Sequence, residues 1–205
     1  PPGILGSQIF YIETAGGGRE IYQFRKDFPE LALGDEVSAS GVVSEAVNGR
    51  RLKVSKKNDI TILGKKDAPE PEEINLADLS DNLIASLVKI SGEVLETKGS
   101  DKFIIVLDEG EILVYIKPTT GIADLDLAEG DAVTVTGILM KTKEGWRILP
   151  RSSDDIEGER VHEPQAAASG KNPTALSKNS AITIILSALG ASGASAVFLG
   201  IKFKD

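Results

Sequence analysis

The sequence predicts an all-β protein made of small curved barrels and ending in a transmembrane helix, and three observations predict it. The first is a repeat: residues 33–54 and 127–150 carry one frame that superimposes without a gap at an offset of 96, matching Gly34 with Gly130, Asp35 with Asp131, Val37 with Val133, Gly41 with Gly137, Gly49 with Gly145 and Leu52 with Ile148. The second is the pattern inside each copy, a Gly-Asp turn, a strand alternating apolar and small residues, a polar loop closed by glycine, and a return strand. That pattern is a hairpin, and the glycine inside its first strand marks the bend that a barrel corner needs. The third is residues 181–201, 21 residues without a charge. At about 1.5 Å per helical residue they match the thickness of a bilayer core.

The pattern L-x-x-G-D-x-V-x-V-x-G, a loop and a glycine-led strand, with LVKISGEV at residues 87–94 upstream of the second copy, resembles strands 4, 5 and 1 of an OB-fold. Tandem modules of this kind resemble the nucleic-acid-binding domains of bacterial membrane-anchored surface proteins, including those that carry a lamin-tail domain upstream of similar barrels. The resemblance covers residues 1–160 and implies two five-stranded Greek-key barrels. It implies single-stranded nucleic acid as the ligand. The same fold also binds oligosaccharides and proteins, so a surface interaction or scaffold protein binding protein or glycan is the alternative.

Residues 1–66 read as a first module, in which segments 9–12 and 20–24 flank the glycine-rich loop Thr14-Ala-Gly-Gly-Gly18. That loop is not a phosphate loop, because no Lys-Ser/Thr pair and no helix follow it. The first module has no room for an N-terminal strand, which is expected to lie before residue 1, and with neither an initiator methionine nor a signal peptide the chain reads as a fragment. Residues 67–83 are an acidic linker whose Leu76, Leu79 and Leu83 predict a short helix behind Asn75. Residues 84–158 form a second and complete module with five strands, at 87–95, 103–107, 112–117, 132–139 and 146–150, and an irregular turn over 119–127. Residues 159–180, rich in Ser, Ala, Pro and Asn, predict a flexible tether. The transmembrane helix 181–201 and a short basic tail, 202–205, complete the chain. Ala188, Ser192, Ala196 and Gly200 recur every four residues on one ridge of the helix, a face for self-association. Lys202 and Lys204 at its edge predict a single-pass protein of the cell membrane, with barrels outside and a cytoplasmic C-terminus; a tail-anchored cytoplasmic protein is the alternative.

The chain carries a net charge of −8 and no cysteine, which excludes disulfides and thiolate chemistry. The charge is uneven: ten basic against eight acidic groups in residues 1–66, nine against fifteen in 84–160. Only the first module attracts a phosphate backbone on that count. Its cations gather at Arg50, Arg51 and Lys53, around the loop between strands 4 and 5, and Tyr11, Tyr22 and Phe24 lie on the preceding hairpin where bases would stack. In the second module Tyr115, Lys117, Lys141, Lys143, Trp146 and Arg147 sit beside Asp108, Glu109 and Glu111, which predicts a spacer or protein-contact role. No metal site, cofactor or catalytic activity is expected. The single histidine, His162, lies in the tether, Asp154 and Asp155 read as a solvated turn, and no nucleophile motif is present.

Overall fold

The computed structural model describes residues 1–46, 49–123 and 125–159, all within the compact unit Pro1–Pro164. In chain order its strands are β1 (Ile9–Thr14), β2 (Gly17–Tyr22), β3 (Asp35–Ala39), β4 (Val42–Ala46), β5 (Gly49–Lys53), β6 (Ile60–Lys65), β7 (Glu72–Glu73), β8 (Leu87–Thr97), β9 (Lys102–Leu107), β10 (Gly110–Tyr115), β11 (Ala132–Thr142), β12 (Gly145–Leu149) and β13 (Ile156–Glu159).

The second half closes a barrel. β8 pairs antiparallel with β9, β9 with β10, β10 runs parallel to β12, and β12 pairs antiparallel with β11, which returns antiparallel to β8. That is a five-stranded, OB-like order. Period-two alternation sends one side chain in two inward, so Val88, Ile105, Val114, Val135, Leu139 and Ile148 are each 0% exposed. Burying a side chain of this size is worth about 1.5–3 kcal/mol.

The first half repeats these pairings at the level of single side chains. β1, β2, β5 and β4 form a sheet in that order, matching β9, β10, β12 and the C-terminal part of β11, while β3 pairs with β6 as the start of β11 pairs with β13. Gly34 and Gly130 turn the chain at φ 85 and 87. Behind them the Asp35 and Asp131 carboxylates accept the Ala32 and Ala128 N–H groups at 2.6 and 2.8 Å. A Cβ at Gly41 would lie 2.3 Å from the Lys53 carbonyl oxygen, and one at Gly137 would lie 2.6 Å from that of Leu149. The strand can press on its neighbour only where there is no side chain, which is why glycine recurs there.

The first half has no counterpart of β8, the N-terminal strand that the sequence leaves no room for, so among the described residues it is an open sheet and a separate two-stranded ladder and not a second closed barrel. The acidic linker differs as well. Its helix is two 3-10 turns, Leu76–Asp78 and Asp81–Leu83, and it is no free tether, because β7 pairs with β8 and Ile74 is buried in the barrel core. The predicted solvated turn is half wrong: Asp154 is exposed, but Asp155 is buried and its carboxylate accepts the Arg151 backbone N–H at 2.7 Å and two guanidinium N–H groups at 2.9 and 2.8 Å. No helix among the described residues is long and apolar enough to cross a membrane. Segment 181–201, with Ala188, Ser192, Ala196 and Gly200, lies outside the described residues, as do residues 160–180 and 202–205.

The halves meet along β2 and the segment before β8. The Gly18 N–H donates to Ser86 Oγ at 2.7 Å, and Leu5 joins Leu87, Ile138, Met140 and Leu149 in an apolar cluster. One core position is poorly matched. Gln23 is 0% exposed, and neither its amide nitrogen nor its amide oxygen meets a protein partner. Its counterpart on superimposing the β1–β2 and β9–β10 hairpins is Ile116. Since a buried unsatisfied polar group costs about 1–3 kcal/mol, Gln23→Ile is expected to stabilise the protein by about that amount in urea titration.

Candidate nucleic-acid interface

The sheet of the first half has two faces, and strand alternation assigns them. Phe10, Ile21 and Leu52 point to the core with Val54 and Ile60. The residues between them line up across four strands on the opposite face, Tyr11, Glu20, Arg51 and Ser44 in one row and Ile9, Tyr22, Lys53 and Val42 in the next. The Arg51 guanidinium lies 3.9 Å from the centre of the Tyr22 ring, close enough for a cation–π stack. It is also held by Glu20 Oε1 at 3.7 Å and by Ser44 Oγ at 3.4 Å. Glu20 is only 8% exposed, and burial raises its carboxyl pKa against the opposing pull of the Tyr11 hydroxyl and Arg51. Tyr11 donates to Glu20 Oε2 at 3.2 Å, and burial, reinforced by the Glu20 charge, pushes its hydroxyl upward.

The structure therefore brings Tyr22, Arg51 and Lys53 together. It places the other sequence candidates differently. Tyr11 shares the face, but its ring packs against the apolar cluster of the second half and its hydroxyl reaches Met140 Sδ at 3.8 Å. Arg50 precedes Arg51 in the same strand and so projects to the opposite side, where its exposed Nε lies 3.4 Å from Glu45. Phe24 lies beyond the end of β2 and is 72% exposed, with its carbonyl oxygen accepting from Gln8 Nε2 at 2.8 Å.

A second stack stands in the other half. Around the Tyr115 ring, the ammonium groups of Lys117 and Lys102 lie 5.3 and 5.4 Å from the centre, and the Arg147 guanidinium lies at 5.8 Å. Laying Ile9–Thr14 and Gly17–Tyr22 on Lys102–Leu107 and Gly110–Tyr115 puts Tyr22 on Tyr115, while the hairpin repeat puts Arg51 on Arg147. The Tyr–Arg pair thus belongs to the repeat. The sequence reading missed it because the segment between the two hairpins is three residues longer in the second half, so Tyr22 and Tyr115 fall out of step at the spacing that aligns the glycines. Lys102 and Glu20 escaped notice altogether, although hairpin register places Lys102 opposite Tyr115 and was available as a signal. Of the remaining second-module candidates, Lys141 lies 4.9 Å from the Trp146 ring and bonds Asp81 at 2.7 Å, and Lys143 is exposed.

Tyr11 and Tyr115 pack against the same apolar cluster, and the Lys117 charge acts on Glu20, so the two stacks flank one seam. Among the described residues no group of three or more His, Cys, Asp or Glu is placed to hold a metal ion.

No family model matches the chain, and no curated protein does. Among solved structures it is similar to the hypothetical protein ygiW from E. coli, at 17% identity over 44% of this chain and 91% of that one, with a TM-score of 0.33. It is also similar to an OBody bound to hen egg-white lysozyme, at 21% identity over 43% of this chain and 96% of that one, with a TM-score of 0.32. The class rests on the strand pairings themselves: an all-β protein with a closed five-stranded OB-like barrel.

Proposed function

We propose that this protein binds single-stranded nucleic acid, weakly and with little sequence preference, along the seam flanked by its two Tyr–Arg stacks. The observation that supports this reading is the recurrence of one stack, Tyr22 under Arg51 and Tyr115 beside Arg147, on the face of the strand 2–3 hairpin where OB-folds hold oligonucleotides. A base stacks on a guanidinium plane backed by a ring, since every base has a π-face, and Lys53, Lys102 and Lys117 neutralise phosphates without reading base edges. On this reading the two halves act as a tandem of OB-type modules, as in the proteins they resemble. Tyr11 joins the modules, and Phe24 extends the surface at its margin. Catalysis has no part in it.

Titration of the full chain with an oligothymidine at several salt concentrations tests this reading. Arg51→Ala with Lys53→Ala is expected to lower the slope of log affinity against log salt by about 0.7 per lost phosphate contact. Tyr22→Ala is expected to cost about 1–3 kcal/mol of binding with the slope nearly unchanged, because stacking releases no counterions. An oligonucleotide that fails to bind even at low salt contradicts the proposal. The alternative, a scaffold protein with a protein ligand, is favoured by one observation, the exposure of Val42 and Val43 at 70% and 65%. Apolar contacts there would be insensitive to salt.

We further propose, on sequence grounds, that residues 181–201 anchor the protein in a lipid bilayer with the barrels outside the cell. Deleting them is expected to move the protein from the detergent-extracted to the soluble fraction, and unchanged partitioning would contradict the anchor.

A further inference from the structure

We infer that Glu20 is a proton-operated gate on the first stack, a regulation that rests on the seam being the nucleic-acid interface. Ionised, Glu20 holds the Arg51 guanidinium against the protein; protonated, it releases Arg51 to a phosphate of the bound strand. The repeat breaks at this residue. Superimposing β2 on β10 sets Glu20 on Leu113, and each faces the stacked arginine across a parallel pair, Glu20 opposite Arg51 and Leu113 opposite Arg147. The fold therefore accepts an apolar side chain at this place. Glu20 is buried, and a buried carboxylate costs folding energy that leucine does not.

Charged and titratable groups face Glu20 from each element packed around it. From β1 the Tyr11 hydroxyl donates to Oε2 at 3.2 Å, from β5 Arg51 Nη1 lies 3.7 Å from Oε1, and from the segment after β10 the Lys117 charge acts on it. On its own strand Tyr22 follows two residues later on the same face. Burial outweighs these partners and holds the carboxyl above the usual glutamate range, so Glu20 gains its proton at a higher pH than an exposed glutamate does. The ion pair with Arg51 is long, and the arginine keeps about a quarter of its side chain, 27%, open to solvent. A ligand can reach it from the seam.

A phosphate drawn to Arg51 also comes close to Glu20, so the two anions compete for one cation. Protonation removes the competitor without breaking the cluster, because the neutral acid keeps an oxygen that accepts from Tyr11. Affinity is therefore full while Glu20 is protonated and falls as pH rises through its titration. By reciprocity, the strand that prefers the protonated form takes up a proton as it binds. The second stack has no such device: Leu113 carries no charge, and the carboxylate bonded to Arg147, that of Glu144 at 3.2 Å, is exposed and screened by water.

The test is an oligothymidine titration of the full chain at several salt concentrations, repeated from mildly acidic to mildly alkaline pH. Affinity at low salt is expected to fall by about tenfold as pH rises through the Glu20 titration. The slope of log affinity against log salt is expected to become shallower by about 0.7, the value of one phosphate contact. Glu20→Gln, which keeps the shape and an oxygen for Tyr11, is expected to show the tighter affinity and the steeper slope at every pH. Binding that ignores pH, or a pH dependence that Glu20→Gln leaves unchanged, overturns the gate and leaves the nucleic-acid reading standing. No binding by either protein at any pH overturns both. NMR of the unliganded wild-type chain needs no variant to fold: the Glu20 carboxyl carbon and the Arg51 guanidinium resonances are expected to titrate with one midpoint. Arg51 resonances that do not follow Glu20 overturn the gate.

Discussion

Leu139→Ala is expected to lower the free energy of unfolding by about 2–5 kcal/mol, while Val43→Ala changes it by less than about 0.5 kcal/mol. The two residues hold the same place in the repeat, each paired across the hairpin with an aliphatic side chain, Leu139 with Ile148 and Val43 with Leu52. Their burial is opposite: Leu139 is 0% exposed within the closed barrel, and Val43 is 65% exposed where the first half stays open. Truncating Leu139 removes apolar contacts on all sides and leaves a cavity that the closed strand ladder cannot collapse around. At Val43 water already occupies the space. Urea denaturation of both variants measures the difference, and equal losses would mean that the first half is closed in solution.

Gly18→Ala is expected to destabilise the protein by about 1–3 kcal/mol, whereas Gly16→Ala, two residues away, is expected to be nearly neutral. A Cβ at Gly18 would lie 2.1 Å from both the carbonyl carbon and oxygen of Ala85 and 2.3 Å from the Ser86 nitrogen. These are backbone atoms, and Ala85 is itself held at φ 72, a left-handed conformation with little freedom to move. The segment before β8 must then lift from β2, losing the Gly18 to Ser86 hydrogen bond and loosening the contact between the halves. At Gly16 the nearest atom, 3.6 Å away, is the end of the Arg19 side chain, which can move aside. Thermal unfolding of the pair measures the contact, and identical midpoints would contradict the role given to Gly18.

What the sequence made legible was local. Gly34 and Gly130 announce turns because the residue type meets the backbone demand on the spot, and Gly41 and Gly137 announce close strand approach in the same way. What it hid depends on partners far along the chain. The burial of Tyr11 rests on Met140, 129 residues away, and the three-residue lengthening between hairpins concealed the match of Tyr115 to Tyr22. Leu76, Leu79 and Leu83 have helical spacing, yet they pack against the barrel core from two short 3-10 turns, so tertiary packing overrode the local pattern. Strand parity, legible in the sequence, separates Arg50 from Arg51 and Lys53.

The most direct test of a shared nucleic-acid seam is an NMR titration of the isotope-labelled full chain with an oligothymidine of about 15 nucleotides, a length within the reach of OB-type sites. The account predicts that the resonances of Tyr22, Arg51 and Lys53 shift together with those of Tyr115, Lys102 and Arg147 along one saturation curve, and that the shifts revert as salt is raised. Absence of shifts at low salt, or shifts confined to the exposed edge of β4, would contradict it.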